Sequence, residues 1–474
     1  MNRRDLLAAD PARTPLLAVG NQVGEIARDL VPGGVLIGHD DRLDLAVAET
    51  RERIADGRRA PLFEATFVHE DVLVRVDLLL PEADGGWRIC EVKSAASVKP
   101  YHLGDLASQV WVALGAGLPV SAAELAHIDT RFSYTRAGDY AGLLRTVDVS
   151  ERVAPLVNRR HLVVTAARQC LAGGEPDIAT GGQCATPYPC PFQAHCRAGE
   201  PPVADYPPEL LPGAAGKTAA EALRQAGIAD LRDAPPDLAL PPALDRILTA
   251  TRTGVAFDDP AGFRAAVADW PSPLRFLDFE TVGFAIPRWL GTRPFEAVPF
   301  QFSCHLAAED GTYPQTEFLD LTGADPSRAC AEALVDCLGE TGAIVAWAAG
   351  VERACIRRLA RLFPDLAPRL TAAADRVVDL LPVVRNTYYH RDMRGSWSIK
   401  AVLPCRLPAL KYSDLQGVKD GMAAPNAYQE AVHPDTDPRR REALRAELLA
   451  YCRLDSWAMV ALYNSLGRAD DPQG

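Results

Sequence analysis

Five prolines crowd the stretch "GEPPVADYPPELLPGAAG" within residues 197–217. Proline lacks the backbone N–H and fixes φ, so neither a helix interior nor a central strand runs through such a segment. The stretch reads as a linker, and the residues on either side must then build separate cores. A length of 474 residues also exceeds what one hydrophobic core supports, so two or three domains are expected. With 48% apolar and 24% charged residues, the chain has the composition of an ordinary soluble protein.

Both sides of the linker alternate strand and helix patterns, which gives the class α/β. In the first part, 1–200, "DVLVRVDLLLP" (71–81) and "WRICEVKSA" (87–95) read as strands joined by the Gly-containing turn "EADGG". "LGDLASQVWVALGAG" (103–117) follows with helical spacing. Over 201–265, "KTAAEALRQAGIADLRDAPP" and "PPALDRILTATRTG" read as short helices of a connector. A second α/β domain is expected over 266–474. It opens with a strand at 274–280, continues with the apolar run "AIVAWAA" (343–349) and ends in helices.

That first strand, in "RFLDFETVG" (275–283), ends with Asp278 and Glu280. Strand residues two apart share a face, so both acids can converge on one metal site. Tyr451 and Asp455 lie four apart in the helical pattern "LLAYCRLDSWAMVALY" (448–463) and share a helix face. Glu352 stands at a strand-to-helix junction in "VAWAAGVERACIRRLARLFP" (345–364), and Asp379 in "VVDLLPVVRN" is its rival. Asp278, Glu280, Glu352 and Asp455 would repel one another unless divalent cations neutralised them. A pair of Mg²⁺ or Mn²⁺ ions does so, and clamps the attacking water and leaving oxygen of a phosphodiester. Tyr451 could then orient the water.

"FLDFE", the later acid and "YCRLD", in that order, resemble the D-E-D-D exonucleases of the ribonuclease H-like fold, in the variant with Tyr in its last motif. The resemblance implies 3′→5′ removal of nucleotides. "RPFEAVPFQFSCH" (293–305), "GSWSIKAVLP" (395–404) and "YCRLDSWAMV" (451–460) resemble signature stretches of an uncharacterised bacterial domain family placed behind RecB-type nuclease domains. The superfamily usually has Asp where this chain has Glu352, and the bacterial family usually has Asn where it has Ala348.

The first domain carries its own constellation. Asp77 closes one expected strand, and across the hairpin Glu91 and Lys93, again at i and i+2, close the next. Two acids holding a divalent cation, with a lysine to position water and support developing charge, suit phosphodiester hydrolysis. The pattern resembles the P-D-(D/E)-x-K nuclease fold, a restriction-endonuclease-like mixed sheet. Gln109 in "DLASQVWVAL" resembles the extra Gln of its RecB-type branch. That branch usually has Tyr where Ala113 stands, and an upstream His for which Glu25 or Glu64 could substitute.

The chain has 11 cysteines, expected as thiols or metal ligands in a cytosolic protein. "CATPYPCPFQAHC" spaces Cys184, Cys190 and Cys196 six apart, too widely for the usual structural zinc pattern. Soft thiolates also suit an iron–sulfur cluster, which takes four cysteines. The stretch resembles the last three cysteines of iron–sulfur RecB-type nucleases, which implies a 4Fe-4S cluster. Cys170 is the nearest candidate for the fourth ligand; the alternative is a cysteine upstream of the given start. Cys90 should point into the core, and the remaining cysteines read as small core residues.

The net charge of −12 argues against bulk attraction to nucleic acid while leaving room for a local basic groove. The start, "MNRRDLLAADPARTP", has no apolar core for a secretory signal, and no stretch approaches a membrane span. A cytoplasmic nuclease acting on nucleic acid, DNA by resemblance, is the expectation. A nucleic-acid-binding scaffold with a degenerate site is the rival.

Overall fold

The expected strands come together as two separate sheets. The computed structural model describes Leu6 and residues 13–468 apart from 201, 237, 416, 419, 420 and 422. Most of the stretch read above for a signal sequence therefore lies outside the described residues. The fold is mixed α/β, and the chain divides into two compact units, Met1–Pro201 with Phe284–Glu296 and Pro202–Gly283 with Ala297–Gly474.

The first unit runs α1 (Arg13–Asp29), β1 (Val35–Leu36), α2 (Leu43–Ala55), β2 (Leu62–His69), β3 (Val72–Pro81), β4 (Trp87–Lys93), α3 (Pro100–Gly115), β5 (Val120–Ile128), β6 (Leu144–Asp148), α4 (Ser150–Asn158), α5 (Arg160–Ala172) and α6 (Gln193–Arg197). Its sheet has the order β1-β2-β3-β4-β5-β6. β3 and β4 form the expected antiparallel hairpin, and α3 carries the chain over to β5, parallel to β4. Both faces are covered, which is why "VDLLL" is almost continuously apolar. Leu79 and Ile89 pack beneath Leu106 and Val110 of α3, whereas Leu78 and Cys90 pack with Ala27 of α1 and Phe63. The excursion Phe284–Glu296 joins this unit through Ile286, packed near Val23 and Ile128, and through backbone bonds between Tyr134 and both Gly291 and Thr292.

The second unit runs α7 (Gly213–Gln225), α8 (Pro242–Thr253), β7 (Phe257–Asp258), α9 (Pro260–Val267), β8 (Arg275–Val282), β9 (Val298–Leu306), β10 (Gln315–Leu319), α10 (Ser327–Leu338), β11 (Ile344–Ala346), α11 (Gly350–Leu362), α12 (Ala367–Asp375), β12 (Val377–Asp379), α13 (Leu380–Thr387), β13 (Tyr388–Tyr389), α14 (Ile399–Arg406), α15 (Ala423–Ala431) and α16 (Pro438–Leu466). The connector lies with this unit. Tyr206 is buried and donates to Asp392, α7 begins at Gly213 inside the expected linker, and β7 pairs with β13. The main sheet has the order β10-β9-β8-β11-β12, with β9 antiparallel to its neighbours and β8, β11 and β12 parallel.

Period two sorts β8 between two environments. Leu277 and Phe279 enter the core made by α10, α11 and α12. Phe276 meets Tyr463 of α16, and Cys452 of the same helix meets Asp278. The acids thus face α16. That long helix starts at Pro438, where Asp437 accepts from the backbone N–H groups of Arg439 and Arg440.

Between β11 and α11 the chain turns at Ala348, whose φ is 59°. This left-handed conformation costs a residue with a Cβ about 1–2 kcal/mol, and Asn tolerates it better than Ala. The Asn usual at this position in the resembled family therefore has a backbone rationale. Asp379, the rival third acid, holds the turn: its carboxylate accepts from Ala348 and Ala349 (3.0 and 3.1 Å) and caps α13 through Leu381 (3.0 Å). Ala348→Gly should raise stability by about 1 kcal/mol, read as a higher urea midpoint for the unfolding transition of the second unit.

Candidate active site

β8 carries Asp278 and Glu280 to its C-terminal end, where the ladder to β9 shifts register between Glu280 and Thr281. Such bulges recur beside active sites because they re-aim a side chain. The chain then steps outward through β9 and β10 and returns to the other edge of β8 as β11. The strand order reverses at β8/β11, the crevice where open α/β sheets hold ligands. α16 supplies Asp455 from above. Asp278, Glu280 and Asp455 each offer an oxygen such that all three lie within 4.8 Å of one another. Among the described residues, they are the one group of at least three His, Cys, Asp or Glu side chains that meets this spacing.

Glu352, expected as a fourth ligand, stands outside that group. It sits in the first turn of α11, buried, with its Oε2 lacking a hydrogen-bond partner. Its charge still adds to the repulsion on Asp278 and Glu280. Burial pushes Glu280 up to about 8, with Asp455 adding repulsion and Lys400 opposing it. Burial lifts Glu352 to about 7. It lifts Asp455 to about 6, against hydrogen bonds from Tyr412 and Tyr451 and the charge of Lys400. Asp278 rises well above the usual carboxylate range through burial and then the repulsion of Asp455 and Glu280. Clustered acids and an orphaned buried oxygen are what a hard, oxygen-liganded divalent cation would satisfy.

Tyr451 lies where its helical spacing placed it, buried one turn before Asp455. Three neighbours escaped the sequence reading. Lys400, in the first turn of α14, donates to Tyr451 Oη at 2.6 Å. Tyr412 donates to Asp455 Oδ1. The Cys452 thiol, expected as plain core, points at an Asp278 carboxylate oxygen 3.5 Å away. A lysine in a first helical turn opposes the helix dipole, a signal that was present in "SWSIK"; "KYSD" around Tyr412 offered none.

In the first unit Asp77 lies in the interior of β3, not at its end as expected, because the strand continues to Pro81. Its Oδ2 accepts from Val92 N–H at 2.6 Å. Glu91 is fully engaged, accepting from Lys93 Nζ at 2.8 Å and from Gln109 Nε2 at 2.5 Å, and Lys93 also reaches Asp105 at 3.1 Å. Burial and then the Glu91 charge push Asp77 well up, while burial acting alone on Lys93 is outweighed by Glu91 and Asp105, so the ammonium is held charged. Asp77 and Glu91 line a cleft of about 550 Å³ together with Glu25, Arg28, Glu64 and Arg75. Glu64, with φ of 57°, sits in the register position facing Asp77 and lies 3.5 Å from both Arg28 and Arg75. A non-glycine residue held in that conformation inside a strand is the kind of strain found at functional sites. Ala113, where the RecB-type branch has Tyr, is fully buried in the core.

Cys170, Cys184, Cys190 and Cys196 are free thiols, Cys184 buried and Cys170 and Cys196 exposed. The loop between them folds back on itself: Cys190 N–H bonds Cys184 O at 2.7 Å, and His195 meets Glu175 at 2.5 Å. Tyr188 in this loop packs edge-on to Tyr101 of α3 at 5.5 Å. Cys90 is buried among Ala27, Phe63, Leu78 and Ala126, away from the loop. Of the cysteines read as core, Cys304, Cys330, Cys355 and Cys452 are buried, and Cys337 and Cys405 are half-buried.

Because the carboxyl groups of Glu280 and Glu352 are raised, the native state holds more protons than the unfolded chain between roughly pH 4 and 8. Stability therefore falls as pH rises across that window. Metal-stripped protein should melt at a lower temperature at pH 8.5 than at pH 6. Mn²⁺ should narrow the gap, and Glu280→Gln should flatten the dependence; thermal melts of the two proteins check this.

Comparison with known proteins adds one coarse finding. Residues 275–398 match a family described as a domain of unknown function, DUF2779, which takes in β8 and Glu352 but not Tyr451 or Asp455. No curated protein and no solved structure matches the chain.

Proposed function

We propose that the protein is a metal-dependent nuclease that hydrolyses phosphodiester bonds of nucleic acid, DNA in the first instance. Its 3′→5′ exonuclease centre would lie in the second unit, read as ribonuclease H-like, and a RecB-type P-D-(D/E)-x-K centre in the first. The observation that carries this reading is the meeting of Asp278 and Glu280 with Asp455, residues remote in sequence whose oxygens share a 4.8 Å space. Tyr451, the order of the motifs and the reversal of strand order at β8 support it.

Asp278, Glu280 and Asp455 would hold a divalent cation, with Glu352 available at the rim. Divalent cations there would stabilise charge on phosphoryl oxygens and acidify water at neutral pH. The chain's own groups position the reactants. Tyr451 directs water toward phosphorus; the water oxygen bonds to phosphorus as the P–O3′ bond breaks, the departing O3′ takes up the proton that the water gives up, and a nucleoside 5′-monophosphate leaves. In the first unit Asp77 and Glu91 would hold a cation, Gln109 fixes the Glu91 carboxylate, and Lys93 faces the developing phosphoryl charge.

The cysteines fit an iron–sulfur cluster by kind and number, since Cys170, Cys184, Cys190 and Cys196 give four free soft donors on one folded-back segment. Such a cluster would fasten the end of the first unit. Anaerobically prepared protein should carry iron, about four atoms per chain for a cubane cluster. Cys184→Ser should lose that iron and its visible absorption, and Cys405→Ser should keep both, as iron assay and absorbance will show.

The nuclease reading is tested with 3′-labelled and 5′-labelled single strands in Mn²⁺. Wild type should shorten strands stepwise from the 3′ end. Asp278→Ala should lower that rate at least about 10³-fold, and Lys93→Ala should spare it. Strands left intact by cluster-loaded, Mn²⁺-supplied protein would instead favour a nucleic-acid-binding scaffold.

A further inference from the structure

Lys400 is the feature of the second unit that the metal-nuclease reading does not use. It enters at the start of α14, where Ser398 caps the helix by accepting from Ala401 N–H. A cation here works against the helix dipole, so its placement must be compensated by its surroundings. Its ammonium lies 2.6 Å from Tyr451 Oη, 4.7 Å from the Tyr451 ring centre and 5.3 Å from that of Tyr412. Both phenols bear on Asp455: Tyr412 donates to it, and Tyr451, one turn before it on α16, also favours its charged form. Lys400 also exerts an attractive charge on Glu280 and Asp455.

A phenol has one proton and two lone pairs. When an ammonium donates into one lone pair of Tyr451, the phenolic proton must point away from Lys400, along the side on which Asp455 lies. Tyr412 then holds one oxygen of the Asp455 carboxylate, and the Tyr451 hydroxyl is turned toward the other side of the same group. An ammonium whose charge acts on Glu280 and Asp455 also lowers the affinity of the group for a divalent cation.

We propose that Lys400 is the positioning residue of the carboxylate centre: it sets the direction of the Tyr451 hydroxyl and, through it, the seat of Asp455, while tempering how tightly the acids grip a divalent cation. The proposal rests on the nuclease reading for its kinetic part and on the geometry alone for its metal part.

The test uses the full chain as wild type, Lys400→Met, Lys400→Arg and Tyr451→Phe, with Mn²⁺ titrated by calorimetry and exonuclease kinetics measured in parallel. Lys400→Met should bind Mn²⁺ about ten-fold tighter, because a repelling charge is gone. Its kcat should nevertheless fall about 100-fold with KM little changed, the expected result of misplacing a reacting group by an ångström. Lys400→Arg, which can still donate to the phenol, should recover most of the rate. In a Tyr451→Phe background Lys400→Met should cost little more, since the two act in series.

A lysine that merely props up the fold would lower Mn²⁺ affinity, melting temperature and kcat together, and that outcome overturns the proposal. Unchanged Mn²⁺ affinity in Lys400→Met overturns it too. If wild type cleaves no strand, the nuclease reading falls, and the Mn²⁺ titration still decides for or against Lys400.

Discussion

The second unit depends on the alternation of side chains along β8. Leu277 and Phe279 are anchored among α10, α11 and α12, so Asp278 and Glu280 have no choice but to face α16. A slip of one residue would exchange the two sets and drive two carboxylates into a hydrocarbon core, an error costing far more than the fold has to spare. The apolar residues therefore enforce an arrangement that the acids themselves oppose. Cys452, Tyr412 and Lys400 soften that opposition without cancelling it, and the acids remain raised and mutually repelling. An orphaned oxygen on Glu352 leaves the same impression of a polar site built for something the polypeptide does not itself supply.

The first unit solves the burial of acids differently. Glu91 has a lysine on one oxygen and an amide on the other, and Glu64 lies between two arginines. The Glu91 charge is met within the protein, and the strain of this centre falls on Asp77, which burial and the neighbouring Glu91 push up. The two constellations look alike on paper, as charged residues spaced i and i+2 at the end of a strand. They differ because β4 offers a lysine at the second position and β8 an acid.

What could be read from the sequence follows from local periodicity. The i, i+2 acids of β8, the Glu91/Lys93 pair and the one-turn spacing of Tyr451 and Asp455 all rest on repeats fixed by backbone geometry, and all lie as those repeats require. Asp77 was misplaced to a strand end because nothing local marks where a buried apolar run stops. Tyr412 left no local sign, and the dipole-opposing place of Lys400 marked it as unusual without telling which site it joins, because tertiary packing decides where a short helix and a 3₁₀ turn lie. Asp379 could not be separated from Glu352 by pattern, since a capping acid and a ligand acid look the same until the N–H groups they accept from are known. The positive φ at Glu64 and Ala348 had no sequence signature at all.

The excursion Phe284–Glu296 has a bearing on how such a chain can be inherited or divided. It leaves the second unit immediately after β8 and returns before β9, yet its residues complete the packing around Val23 and Ile128 of the first. The two units are thus interleaved along the polypeptide and not strung end to end. A single cut at the proline-rich segment would release one fragment missing part of its core and another burdened with a loop that has lost its home. Duplication, fusion or truncation at that apparent boundary would be punished, and the pair would tend to travel through evolution as one gene.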